Sequence, residues 1–148
     1  MGRIRFAVVL AVALVAADAR ATGEPPIGVG EVSAEASSRD VDMGVLRAMV
    51  TEAVGTLDAS TLPRGSAAVL SVSVVRLESH VASPSEVTCL VSATLRDRKR
   101  GTVFAVVEGS ARGQDEARRL PALERAILRA AVGSAIARVP EAMRRRRR

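Results

Sequence analysis

Residues 67–112, AAVLSVSVVRLESHVASPSEVTCLVSATLRDRKRGTVFAVVEGSAR, decide the fold class. Leu70, Val72 and Val74 alternate with Ser71 and Ser73, the period of a strand with one wet face. Val75 and Leu77 then change phase, which predicts a bulge or the end of pairing on one side. Beyond the polar loop 79–85, Val87, Cys89, Val91, Ala93 and Leu95 share one face, with Thr88, Leu90, Ser92 and Thr94 on the other. Asp97-Arg98-Lys99-Arg100-Gly101 reads as a polar hairpin closed by glycine. A third strand is expected from Thr102 to about Arg112, with Val103, Ala105, Val107 and Ala111 on one side.

The period on either side of this meander is helical. Ser37-Ser38-Arg39-Asp40 has the form of a helix cap, and Asp42 places a carboxylate in the first turn, where the helix dipole favours it. Val45, Leu46, Met49, Val50, Ala53, Val54 and Leu57 then recur at three- to four-residue spacing, with Arg47, Thr51 and Glu52 on the wet side. The second helix is expected between Glu116 and Val139. Its main stripe is Leu120, Leu123, Ile127, Ala130, Ala131, Ser134 and Ala135, widened by Leu128, Val132, Ile136 and Val139. Pro121 belongs in a first turn, and Pro140 is expected to end the helix.

Helix, three meandering strands and helix predict an α+β two-layer sandwich. An antiparallel sheet of three or four strands would bury one face under two helices. The expected organisation is a signal peptide (1–21), a leader that can supply an edge strand (22–36), one α+β domain (37–140) and a basic tail (141–148).

The signal peptide rests on Arg3 and Arg5, the unbroken apolar run from Phe6 to Ala17, and the small-x-small pattern Ala19-Arg20-Ala21. The run is too short to span a bilayer, which takes about 20 apolar residues, and no transmembrane segment is expected after cleavage. An exported protein, periplasmic or extracellular, is the expectation. Of its 148 residues, those left after the signal are enough for one domain with a core.

The formal net charge is +6, but Arg144 to Arg148 supply most of the excess and the rest is close to neutral. Specific nucleic-acid binding is not expected, because basic residues would then line a surface of the fold itself. With two Phe and no Trp or Tyr, one Phe of which lies in the signal, the chain cannot assemble a stacking platform or an aromatic cage. A single cysteine, Cys89, allows no intramolecular disulfide.

Val87-Thr88-Cys89-Leu90-Val91-Ser92, Leu95-Arg96-Asp97, Gly101 to Ala105 and Gly109-Ser110-Ala111 carry a resemblance. The pattern resembles a group of small exported bacterial proteins of uncharacterised function: V-x-C-x-V-S, a charged turn, a strand ending G-S-A, then an Ala-rich terminal helix. The match covers about Ala67 to Val139, and its motifs are structural. The element order is also similar to small α/β domains of envelope assembly proteins, such as the periplasmic parts of curli-secretion and peptidoglycan-synthase-activator lipoproteins. Those have a lipobox Cys, and this chain has none. The resemblance implies a non-enzymatic binding role by analogy.

Four constellations bear on chemistry. His80 with Glu78 and Glu86 could hold a divalent ion weakly, although zinc sites take several His or Cys ligands. Ser79, Ser83 or Ser85 with His80 and Glu86 sketches a hydrolytic triad without a nucleophile elbow. Cys89, on an apolar strand face, reads as a buried, inert thiol in preference to a nucleophile. Gly28-Val29-Gly30 lacks the third glycine of a dinucleotide loop and reads as linker. No catalytic residue, metal or cofactor is expected.

The basic clusters Arg98-Lys99-Arg100 and Arg144, Arg145, Arg146, Arg147 and Arg148 are the candidate anion-binding residues, otherwise a solvated hairpin tip and tail. The leading expectation is an exported, non-enzymatic envelope module that binds a protein partner. Its tail would meet anionic lipid or polysaccharide. The alternatives are a small hydrolase or thiol-dependent enzyme using His80 or Cys89, and a polyanion binder acting through the tail alone.

Overall fold

The computed structural model describes residues 24–35, 40–65 and 67–146. The expected signal peptide, Ser37 to Arg39 of the expected cap, and Arg147 and Arg148 lie outside the described residues.

The alternating patterns become four strands: β1 (Ile27–Ala34), β2 (Ala68–His80), β3 (Ser85–Asp97) and β4 (Val103–Asp115). They form one open sheet in the order β1-β2-β3-β4. Helices α1 (Met43–Gly55) and α2 (Leu120–Ala137) cover one face, α1 over β1 and α2 over β3 and β4. A short third helix, α3 (Val139–Arg145), packs beside the first half of β4. The α+β sandwich is therefore the fold.

The sheet departs from the antiparallel expectation at one edge. β2, β3 and β4 meander antiparallel, but β1 runs parallel to β2, with Ile27 beside Ala68 and Ala34 beside Val74. A parallel pair needs a crossover, and α1 is that crossover. The sheet is mixed because the stretch anticipated as leader or edge strand reaches β2 over a helix.

The phase change after Val74 is a bulge. Val74 pairs with Val91 and Arg76 with Leu90, which makes Val75 the extra residue of the bulge, so Leu77 regains the covered face opposite Cys89. Ala68, Leu70, Val72 and Val74 of β2, and Val87, Cys89, Val91, Ala93 and Leu95 of β3, are buried under the helices. Val103 departs from expectation. The register shifts as Leu95 pairs with Ala105 and Arg96 with Val103, which puts Val103 on the open face, 53% exposed. β4 also runs on to Asp115, past the end expected near Arg112.

Leu46, Met49 and Val50 bury the inner face of α1, whereas Val45 is 40% exposed. Its N-cap is Asp42, outside the first turn. The Asp42 carboxylate accepts from the Gly44 and Val45 amides at 2.8 and 3.0 Å. These bonds satisfy two of the four unpaired amides that begin every helix. Asp42→Ala is expected to lower stability by about 1 kcal/mol in urea titration, with Asp42→Asn retaining most of it.

α2 begins at Leu120 with Pro121 in its first turn, and Ile127, Leu128, Ala131, Val132, Ala135 and Ile136 are buried. Ala130, expected in the stripe, is exposed. Pro140 does not end helical structure: it occupies the first turn of α3, where its missing N–H costs nothing. Val139 and Met143 are buried, so most of the range expected as tail is helix packed on the domain.

Candidate functional site

The hairpin between β3 and β4 is a tight polar turn. The Asp97 carboxylate accepts from the Lys99 and Arg100 amides, both at 2.8 Å, and Gly101 supplies the positive φ of 69° that closes it. The other oxygen of Asp97 takes a hydrogen bond from Arg146, the residue that caps α3. The Arg146 guanidinium also stacks over Phe104, 4.4 Å from the ring centroid. This contact draws together two basic clusters separated by more than forty residues of chain. The hairpin carrying Lys99 and Arg100 and the helix carrying Arg144 and Arg145 sit at one end of the molecule.

The candidate anion-binding residues divide by how the fold uses them. Arg98 is turned inward: it donates to the Pro25 carbonyl at 2.8 Å and meets Glu24 at 3.1 Å, fastening the chain ahead of β1. Arg146 is held by Asp97 and Phe104. Arg145 pairs along its helix with Glu141 at 2.5 Å. Arg144 reaches the Thr61 carbonyl at 3.5 Å and remains exposed. Lys99 and Arg100 project from the turn, also exposed.

The Asp97 pKa is held down to about 2, first by the hydrogen bond from Arg146 and then by the backbone amides of Arg100 and Lys99. A depressed carboxylate stabilises the native state above its ordinary pKa, and that contribution is lost as pH falls through the folded value. The Asp97 contribution is thus complete above 3.8 and disappears on acidification through about 2. Thermal midpoints of wild type and Asp97→Asn should differ at neutral pH and converge across that window. A constant difference would mean that Asp97 is not ionised in the pair.

A groove of about 730 Å³ opens beside this contact, between Phe104–Glu108 of β4 and the outer side of α3. Arg138, Glu141, Ala142 and Arg145 form its helical wall. In the sequence Asp97 and Phe104 stood out only as parts of the hairpin and its motif, and Arg138 and Glu141 did not stand out. Their significance comes from α3 folding back onto the hairpin, and nothing local marks that.

The catalytic sketches do not assemble. Ser79 and His80 are successive residues of β2, so their side chains leave opposite faces of the sheet. Ser79 donates instead to Glu124 of α2. Ser85 is fully buried and bonds within its own turn to Ala82. Glu86 accepts from Arg112 at 2.7 Å and Gln114 at 2.9 Å, and these two bonds lower its pKa. Cys89 is buried, and loss of hydration pushes its thiol up to about 11, against thiolate formation at neutral pH. Glu78 pairs with Arg76 at 3.6 Å. Among the described residues no three His, Cys, Asp or Glu side chains converge as metal ligands. Gly28 and Gly30 lie in β1.

Among the described residues no helix is long and apolar enough to cross a membrane. No protein-family model matches the chain, and no curated protein matches its sequence. Solved structures share the fold. One is a candidate lipoprotein from Caulobacter crescentus CB15, with a TM-score of 0.52 at 16% identity over 82% of this chain and 91% of that one. Another is a Xanthomonas campestris protein of the DUF330 family, with a TM-score of 0.58 at 16% identity over 80% of this chain and 85% of that one. At this identity the likeness is one of fold: the chain has the α+β architecture of these small bacterial proteins.

Proposed function

We propose that the chain is an exported, non-enzymatic binding module of the bacterial envelope, which binds a protein partner through its folded domain and sits by its basic end on an anionic surface. Export is supported by the amino-terminal apolar run and by a fold shared with a candidate lipoprotein. The observation that carries the surface reading is the contact of Arg146 with Asp97 and Phe104, which groups Lys99, Arg100, Arg144 and Arg145 at one end. Arg147 and Arg148 extend that charge in sequence. Cationic side chains near an anionic bilayer contribute about 1 kcal/mol each, and salt screens them within a Debye length of about 10 Å.

Vesicle co-sedimentation tests the surface. The mature chain should bind phosphatidylglycerol vesicles at low salt, release at high salt and ignore phosphatidylcholine. Replacing Lys99, Arg100, Arg144 and Arg145 by glutamine, with Arg146 left to hold α3, should weaken binding by roughly two to three orders of magnitude. Equal binding by the variant would overturn this reading. Crosslinking in native envelopes tests the partner. A defined protein captured by wild type and by the same variant would assign binding to the folded domain, and capture of none would refute it.

A further inference from the structure

The two edges of the sheet are finished differently. β1 is eight residues long and bulged between Val29 and Val32, and its Gly30 carbonyl is capped by Arg47 of α1 at 2.9 Å. Such devices blunt an edge against strand pairing. β4 has none of them along its centre. It is thirteen residues long without Pro or Lys, and its register with β3 shifts only at the Phe104 end. Among the described residues no side chain caps its outer backbone. The strand that most invites pairing is left open.

β4 also complements itself. On its open face stand Val106, Glu108, Ser110, Arg112 and Gln114. Two antiparallel copies aligned with Ser110 opposite Ser110 place Glu108 of each opposite Arg112 of the other, giving two cross-strand ion pairs. On the covered face the same register sets Gly109 against Ala111 and Val107 against Gly113, pairs that carry no charge and leave room for each other. It also brings Asp115 of the second copy opposite Ala105, beside the groove bordered by Arg138 and Arg145. Neighbouring registers lose both ion pairs or oppose like charges. Glu108 has no ion pair within its own chain among the described residues. Arg112 holds Glu86 at 2.7 Å and has further N–H donors to offer.

We propose that β4 pairs antiparallel with β4 of a second copy about a two-fold axis through Ser110, making one eight-stranded sheet with the helices of both copies on one face. The pairing is argued from β4 alone and does not rest on the surface reading. Charge exchange tests it. Analytical ultracentrifugation of the mature chain should show a monomer–dimer equilibrium. Glu108→Arg and Arg112→Glu should each weaken dimerisation by about tenfold or more, since each opposes like charges twice. An equimolar mixture of the two should associate again, as should the double variant Glu108→Arg/Arg112→Glu. Glu108→Arg breaks no intramolecular ion pair, so an unchanged thermal midpoint for its monomer separates lost pairing from lost folding. A wild type that stays monomeric, single variants that dimerise as wild type does, or a mixture that stays dissociated would each overturn the proposal.

Discussion

Gly109→Ala is expected to lower stability by about 3 kcal/mol or more, the largest effect of any single methyl added to this domain. Gly109 lies in β4 directly beneath α2, and a Cβ there would meet the Ala131 carbonyl oxygen and the Ala135 amide nitrogen, with the Ala135 Cα at 2.8 Å. All three are backbone atoms of a helix, which cannot rotate aside as a side chain can. The helix must lift from the strand, and Ile127, Ala131 and Ala135 lose their close contact with the sheet. Gly133, in the same helix, has nothing within 4 Å of its Cβ position. Gly133→Ala should therefore stabilise by about 0.5–1 kcal/mol, because alanine restricts the unfolded chain and favours helix. Urea denaturation of the two variants should give opposite signs. Equal effects would mean that α2 does not rest on Gly109.

Leu46→Ala should cost about 2–5 kcal/mol, whereas Val45→Ala, one residue away, should cost less than about 0.5 kcal/mol. Leu46 is fully buried where α1 meets the sheet, and Val45 is 40% exposed. Truncating Leu46 removes transfer energy and leaves a void that the crossover helix closes only in part. Because α1 is the link that makes β1 parallel, loosening it should also expose β1 amides to hydrogen exchange before those of β2 and β3. Comparable losses from the two variants would show that α1 docks by another face.

The period-two pattern of residues 68–95 predicts β2, β3 and a change of phase at Val75, because alternation is a property of the chain alone; pairing with β3 decided that the change is a bulge. The buried face of α1 and the first-turn place of Pro121 follow from the sequence for the same reason. Caps and prolines were harder to place. Asp42 and Pro140 are good signals for a helix start, but Ser37 competes with the first in sequence, and the second also suits a stop.

Chemistry was legible mainly as incompatibility. Cys89 on an apolar face implies a thiol without ready ionisation, and burial supplies the reason. The hydrolytic sketch fails because adjacent strand residues leave opposite faces, a consequence of β2 extending through His80. The basic clusters were visible as runs of charge. Their division into residues turned inward, such as Arg98, and residues left facing solvent, such as Lys99 and Arg100, was not.

The sequence by itself determined the α+β class, the antiparallel meander, most of the buried face of each long helix and the place of the phase change in β2, all set by periodicities within one element. Tertiary structure decided the parallel course of β1, the docking of α3, the meeting of Arg146 with Asp97 and the contrast between a capped edge and an open one. Each of these joins residues far apart in the chain, and its energy appears only when the elements pack, so no local pattern records it.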